Sequence, residues 1–65
     1  MKLLLKSKVQ NFFDVNGMDV LNATSIPTVE IINGAEWVSE DAAVKYVYES
    51  YFEGLSYDLV SFCKN

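Results

Sequence analysis

Few residues of this chain could carry out covalent or acid–base chemistry. Cys63 is the one thiol, and Glu36, Glu40 and Asp41 are a cluster of acids near the middle of the sequence. A reactive cysteine needs a base or positively charged surroundings, and the chain has no histidine to supply the usual base. Consecutive residues of a helix point about 100° apart, so Glu40 and Asp41 would not converge on one substrate atom. We therefore expect no enzymatic activity, a packing role for Cys63, and a helix-capping role for the acids.

Motifs for bound metals and cofactors are missing as well. One cysteine and no histidine cannot form the usual tetrahedral zinc sets within a single chain. The sequence has no EF-hand loop, Walker A loop, dinucleotide-binding glycine motif or G-x-S-x-G motif. We expect no cofactor and no metal. A lone cysteine cannot form an internal disulfide, which favours a cytoplasmic protein, and no apolar run is long enough to span a membrane.

Composition limits the remaining functions. The 65 residues leave room for one domain, residues 1–65, and a 51% hydrophobic content is too high for a disordered chain. Nine acids against five lysines give a net charge of −4, and the chain has no arginine. This charge balance disfavours nucleic-acid binding, because phosphate contacts dominate such affinity and arginine makes many of them.

The first third of the sequence predicts a hairpin. Residues Lys2–Val9 alternate between apolar and lysine-bearing positions, as in a strand with one solvated face. Asn16 and Gly17 both accept the positive φ of a type I′ turn, so we expect a returning arm over Met18–Leu21. Lysines on the solvated face also discourage aggregation of an edge strand.

A second hairpin is expected before the helix. The β-branched run Thr28–Ile32 indicates a strand, and Pro27 suits its beginning because no ladder hydrogen bond is needed there. Asn33-Gly34 repeats the turn chemistry, and Ala35–Val38 is expected to return alongside the first arm.

One helix is predicted at about residues 40–53. Ser39 is a good N-cap, acids follow in the first turn, and Gly54 is expected to supply the positive φ of a C-terminal cap. The helical period places four residues on the inner face: Ala43, Val44, Val47 and Tyr51.

The last segment, Ser56–Lys64, is interpreted as a strand with apolar residues on both faces. A helix that leads into a strand could place that strand beside the first one through a crossover connection. The predicted fold is therefore α+β: a small four- to five-stranded, largely antiparallel sheet, made of two Asn-Gly hairpins and one C-terminal strand, packed by a single helix.

A stripe on this helix is the candidate binding site. The wheel places Phe52 at the edge of the polar face, one turn after Tyr48, with Glu49 and Glu53 beside them. Aromatic residues contribute most of the energy at protein interfaces, and charges direct the choice of partner. We take Tyr48, Glu49, Phe52 and Glu53 as partner-binding candidates. A thin domain could also simply fail to bury all of its aromatic residues.

These observations favour a small, acidic, non-enzymatic protein-binding module. It would bind stoichiometrically to a larger protein, with its helix face or an exposed strand edge occluding a basic groove or an active site. Phage-encoded inhibitors of host enzymes and defence systems resemble it in size and charge only. The alternatives are a nucleic-acid mimic, a self-associating structural subunit such as a homodimer, and a single-stranded nucleic-acid binder that would use Lys2, Lys6 and Lys8.

Overall fold

The computed structural model describes residues 2–17 and 26–64 of the chain. Within these ranges the elements are β1 (Leu3–Leu5), α1 (Lys6–Val15), β2 (Thr28–Ile32), β3 (Ala35–Ser39), α2 (Glu40–Ser50) and α3 (Glu53–Lys64). The strands form an antiparallel sheet in the order β1-β3-β2. The predicted four- to five-stranded sheet with a single helix is therefore wrong, since the described residues form three strands and three helices.

The second half of the predicted first strand is helical. Only β1 is extended, and α1 begins at Lys6. Val9, Phe12 and Phe13 are all buried, and their spacing of three and four residues places them on one side of a helix. In a strand, Phe12 and Phe13 would point to opposite faces, so only the helix brings both rings into a core that lies on one side of the sheet.

Asn16 and Gly17 end α1 and do not form a hairpin turn. The backbone N–H of Asn16 donates to the Phe12 carbonyl at 3.1 Å, and the Asn16 side-chain amide donates to the same oxygen at 2.8 Å. Gly17 has a φ of +70°. Positive φ after the last helical turn is also a common way to end a helix, which explains why the same dipeptide misled the prediction. The predicted arm Met18–Leu21 lies outside the described residues.

The second predicted hairpin is confirmed. Strands β2 and β3 pair in antiparallel orientation, with Ile32 opposite Ala35. Asn33 and Gly34 have φ angles of 51° and 80°, the two positive values that a type I′ turn requires. The register shifts between Thr28 and Glu30, so a bulge precedes the regular part of β2.

The start of α2 is confirmed, but its predicted end is wrong. The Ser39 hydroxyl accepts from the Ala42 N–H at 3.4 Å, and Glu40 and Asp41 occupy the first turn. The helix stops at Ser50, since the following residue, Tyr51, has left helical geometry with φ −130° and ψ −94°. Gly54 does not cap this helix. It lies in the first turn of α3 and has no positive φ.

The predicted C-terminal strand is also wrong, and with it the crossover connection. Residues 53–64 form α3, which packs against α2 and α1. Leu55, Leu59 and Cys63 recur every four residues along one side of this helix, and Leu59 is fully buried. Because α1 and α2 both pack against residues 53–64, this segment buries its apolar side best as a third helix.

The core lies between the helices and one face of the sheet. Leu4 of β1 is opposite Val38 of β3, so both side chains project to the same face. The buried apolar residues are Leu4, Val9, Phe12, Phe13, Ile26, Val38, Ala43, Val47 and Leu59. Across the described ranges, no helix is long and apolar enough to cross a lipid bilayer.

Candidate protein-binding surface

Cys63 lies in the last turn of α3, partly buried against the core. Burial raises the pKa of its thiol; the positive charge of Lys8 acts in the opposite direction, and the negative charge of Glu40 adds to the increase. A thiol with a raised pKa is a poor nucleophile at neutral pH, because the thiolate is the reactive form. These surroundings fit the packing role expected for Cys63.

The acids of the central cluster lie in different local surroundings. The Glu36 carboxylate accepts a hydrogen bond from the Thr28 hydroxyl at 2.8 Å, and Lys6 Nζ donates to that same hydroxyl oxygen at 3.3 Å. Glu40 and Asp41 lie in the first turn of α2, where the positive end of the helix dipole favours them. Among the described residues, no group of three or more histidine, cysteine or acidic side chains could hold a metal ion.

The lysines predicted to share a strand face are divided between different elements. Lys2 precedes β1, whereas Lys6 and Lys8 belong to α1. Lys6 donates a hydrogen bond to the Thr28 hydroxyl on β2, and the charge of Lys8 partly offsets the increase in the pKa of Cys63. The line of positive charge along a sheet, on which single-stranded nucleic-acid binding would depend, is therefore not formed.

The four candidate binding residues all have exposed side chains, but they do not form one helical stripe. Tyr48 and Glu49 are in the last turn of α2, Phe52 is in the two-residue connection, and Glu53 begins α3. The predicted stripe required α2 to continue past Phe52, and the helix ends two residues earlier. The four residues instead surround the corner at which the chain turns from α2 into α3.

Two further aromatic residues lie at this corner. We call Tyr48, Tyr51, Phe52 and Tyr57 the aromatic corner; their exposures are 45%, 41%, 60% and 62%. Tyr51, predicted on the inner helix face, and Tyr57, predicted on a strand, are not among the four candidates from the sequence. The spacing of four residues between Glu53 and Tyr57 could have indicated Tyr57, because such a pair meets on a helix.

A groove of about 310 Å³ lies beside two residues of the aromatic corner, Tyr48 and Tyr57, and is also lined by Val44, Glu53 and Ser56. Two hydrogen bonds fix Glu53 in it. Tyr57 Oη donates to Glu53 Oε1 at 2.6 Å, and Ser56 Oγ donates to the Glu53 backbone carbonyl at 2.6 Å. The pKa of Tyr57 is raised by this hydrogen bond to Glu53 and by the negative charge of Glu53. The tyrosine therefore remains a neutral donor at neutral pH.

A second exposed surface lies on β2. Its apolar residues Val29, Ile31 and Ile32 are all exposed, although Ile31 is opposite Glu36 and so shares the sheet face of Val38. The main helix packing is against β1 and β3. Ile31 consequently remains 66% exposed on the face that carries the core. Within the described ranges, β2 is an edge strand with one strand partner.

Comparison of the chain with protein-family models, with curated proteins and with solved structures finds no match.

Proposed function

We propose that this chain is a small non-enzymatic protein-binding module, which binds stoichiometrically to a larger protein and occludes part of its surface with the aromatic corner. The observation that supports this proposal is the concentration of four exposed aromatic residues at one turn of the chain, next to exposed Glu49 and Glu53. Aromatic residues are the most common energetic centres of protein interfaces.

The exposed aromatic area is large for a domain of this size. Tyrosine and phenylalanine side chains bury about 150–250 Å² each, so the exposed parts of these four side chains amount to roughly 400 Å². That is comparable to the largest apolar patch of a typical monomer and is about half of what one partner contributes to an interface of standard size. The neighbouring backbone and polar side chains could supply the remainder.

Charge favours a target with a basic surface. Most of the net negative charge of the chain belongs to α2 and α3, which carry five acids and two lysines: Glu40, Asp41, Glu49, Glu53, Asp58, Lys45 and Lys64. Complementary charge accelerates association and selects between partners. The negative charge supports a basic groove or active site of a cytoplasmic enzyme as the proposed target, as in phage-type inhibition of a host enzyme or defence system.

Affinity capture from a lysate of the native host, followed by binding measurements on the purified partner, tests the proposal. We expect Phe52→Ala to weaken binding about 30-fold, the effect of losing a 2 kcal/mol hot spot. Glu49→Lys is expected to slow association, most clearly at low salt. Val15→Ala is the matched control, because Val15 is 74% exposed on α1, outside the corner.

Circular dichroism must show that each variant remains folded, which the 60% exposure of Phe52 leads us to expect. A partner whose affinity and association rate are unchanged by Phe52→Ala and Glu49→Lys would contradict binding through the corner. Failure to recover any partner with the wild-type chain would contradict the function itself.

Self-association through β2 is a second candidate function. An edge strand with exposed apolar residues on both faces can pair with the same strand of a second copy. A two-fold axis at Ile31 would place Ile31 beside its own copy and Glu30 opposite Ile32, which avoids facing like charges. Sedimentation over a range of concentrations should then show a dimer that Ile31→Lys dissociates. A wild-type monomer at all concentrations would contradict this candidate.

A further inference from the structure

The groove of the aromatic corner has the chemistry of a cation-binding site. Two tyrosines, Tyr48 and Tyr57, line it together with the carboxylate-bearing Glu53. Among the described residues that line it, one is acidic and none is basic. Aromatic rings attract cations through the negative charge of their faces, and a carboxylate adds a direct ionic partner.

We propose that this groove receives the guanidinium group of one arginine side chain of the protein partner. The proposal rests on the protein-binding function proposed above and identifies the group that the corner would recognise. The groove, at about 310 Å³, has room for the end of one long side chain. Its occupant would contact the tyrosines and form an ion pair with Glu53.

The carboxylate is held in position before any ligand arrives. Ser56, which is 1% exposed, anchors the backbone of Glu53 through its hydroxyl, and the Tyr57 hydroxyl anchors the carboxylate. Each carboxylate oxygen has two lone pairs, so Glu53 Oε1 can accept the bond from Tyr57 and still accept another. A pre-positioned acceptor reduces the loss of side-chain entropy on binding.

Arginine fits this arrangement better than lysine. Its guanidinium is planar, stacks on aromatic faces and forms forked hydrogen bonds to a carboxylate. An ammonium group is more strongly hydrated and presents no flat surface to a tyrosine ring. The groove is lined by two tyrosines and one glutamate, and a guanidinium can contact an aromatic ring and a carboxylate at the same time.

NMR titration of the full chain with the peptide acetyl-Gly-Arg-Gly-amide tests the assignment. We expect saturable shifts of the amide signals of Tyr48, Glu53, Ser56 and Tyr57, with a Kd in the millimolar range. The lysine peptide should bind at least threefold more weakly. The citrulline peptide, which has the shape of the arginine peptide without its charge, should give no saturable shifts.

Three variants test whether the arginine peptide binds in the groove. Glu53→Gln retains an acceptor for the Tyr57 hydroxyl but removes the charge, and we expect it to weaken binding of the arginine peptide at least fivefold. Tyr48→Leu should weaken it to a similar extent. Glu30→Gln removes one negative charge on β2 and should leave the affinity unchanged, which controls for the net charge of the protein.

Several outcomes would overturn the proposal. These are an absence of saturable shifts in the groove of the wild-type chain, equal binding of the citrulline or lysine peptide, and equal weakening by Glu30→Gln and Glu53→Gln. Such a result would leave the protein-binding function standing if Phe52→Ala still weakened binding of the captured partner. Conversely, binding of the arginine peptide without capture of any partner would contradict the protein-binding function, and with it the assignment of the arginine to a protein partner, while leaving the affinity of the groove for a guanidinium group in place.

Discussion

Replacing Leu59 by alanine is expected to remove a large part of the stability of this domain. Leu59 is 0% exposed and belongs to α3, the helix that packs against both α1 and α2. Buried leucine-to-alanine substitutions cost about 2–5 kcal/mol, depending on how far the surroundings collapse into the cavity. The core around α3 includes the bulky rings of Phe12 and Phe13, which have limited freedom to close such a space.

We therefore expect a loss of about 3 kcal/mol for Leu59→Ala. A domain of this length has a total free energy of unfolding of about 3–10 kcal/mol, so the variant would be marginally folded. For a domain of this size, each kcal/mol corresponds to about 4–8 °C, which predicts a fall in Tm of about 12–24 °C. Urea unfolding measures the change, followed by fluorescence of Trp37, the single tryptophan, and by far-ultraviolet circular dichroism.

Two comparisons make the result decisive. Val15→Ala alters an exposed residue of α1 and should change the free energy of unfolding by no more than about 0.5 kcal/mol. Val60→Ala should cost clearly less than Leu59→Ala, because Val60 is only partly buried on α3. Similar losses at Leu59 and Val60 would match a strand covered on both faces and would refute the helical packing. A loss below about 0.5 kcal/mol at Leu59 would refute its burial.

Two further predictions concern hydrogen bonds near the helix ends. Ser39→Ala should destabilise the fold by about 1 kcal/mol in urea unfolding, whereas Ser39→Asp should retain most of the stability, since aspartate also caps helices; equal stability of all three proteins would contradict the cap. Tyr57 should titrate above its ordinary pKa of 10.0, because its hydrogen bond to Glu53 and the charge of Glu53 both raise that pKa. Because the pKa of Tyr57 is raised in the folded state, its interaction with Glu53 contributes fully to the stability of the fold below pH 10.0. That contribution is lost as the pH rises through the higher pKa of the folded state. Glu53→Gln should bring the pKa of Tyr57 back towards 10.0 in an ultraviolet absorbance titration, and an unchanged pKa would argue against the Tyr57–Glu53 contact.

Local sequence signals predicted the middle of the chain. The Asn33-Gly34 turn depends on the φ angles of two adjacent residues, and these two accept positive φ at little cost. The start of α2 depends on a hydrogen bond from an N–H three residues beyond Ser39. Both features are complete within a few residues, so distant parts of the chain have little opportunity to override them.

The two ends of the chain could not be assigned in this way. The stretch that contains Val9, Phe12 and Phe13 shows apolar alternation as well as helical spacing, and so does the stretch that contains Leu55 and Leu59. Alternation predicts a strand in both stretches, whereas helical spacing predicts a helix in both. Which period a segment adopts depends on what covers its apolar side, and that is a property of the packed molecule.

The sequence by itself determined the acidic charge, a length suited to one small domain, the Asn33-Gly34 turn and the Ser39 cap. Only the tertiary structure decided where α2 ends, and therefore that Phe52 lies in a connection and not on a helix face. It also brought Tyr57 of α3 to the groove beside Tyr48 of α2. The physical reason is that two helices must pack before residues of both can line one groove, whereas a cap or a tight turn needs only its own neighbours.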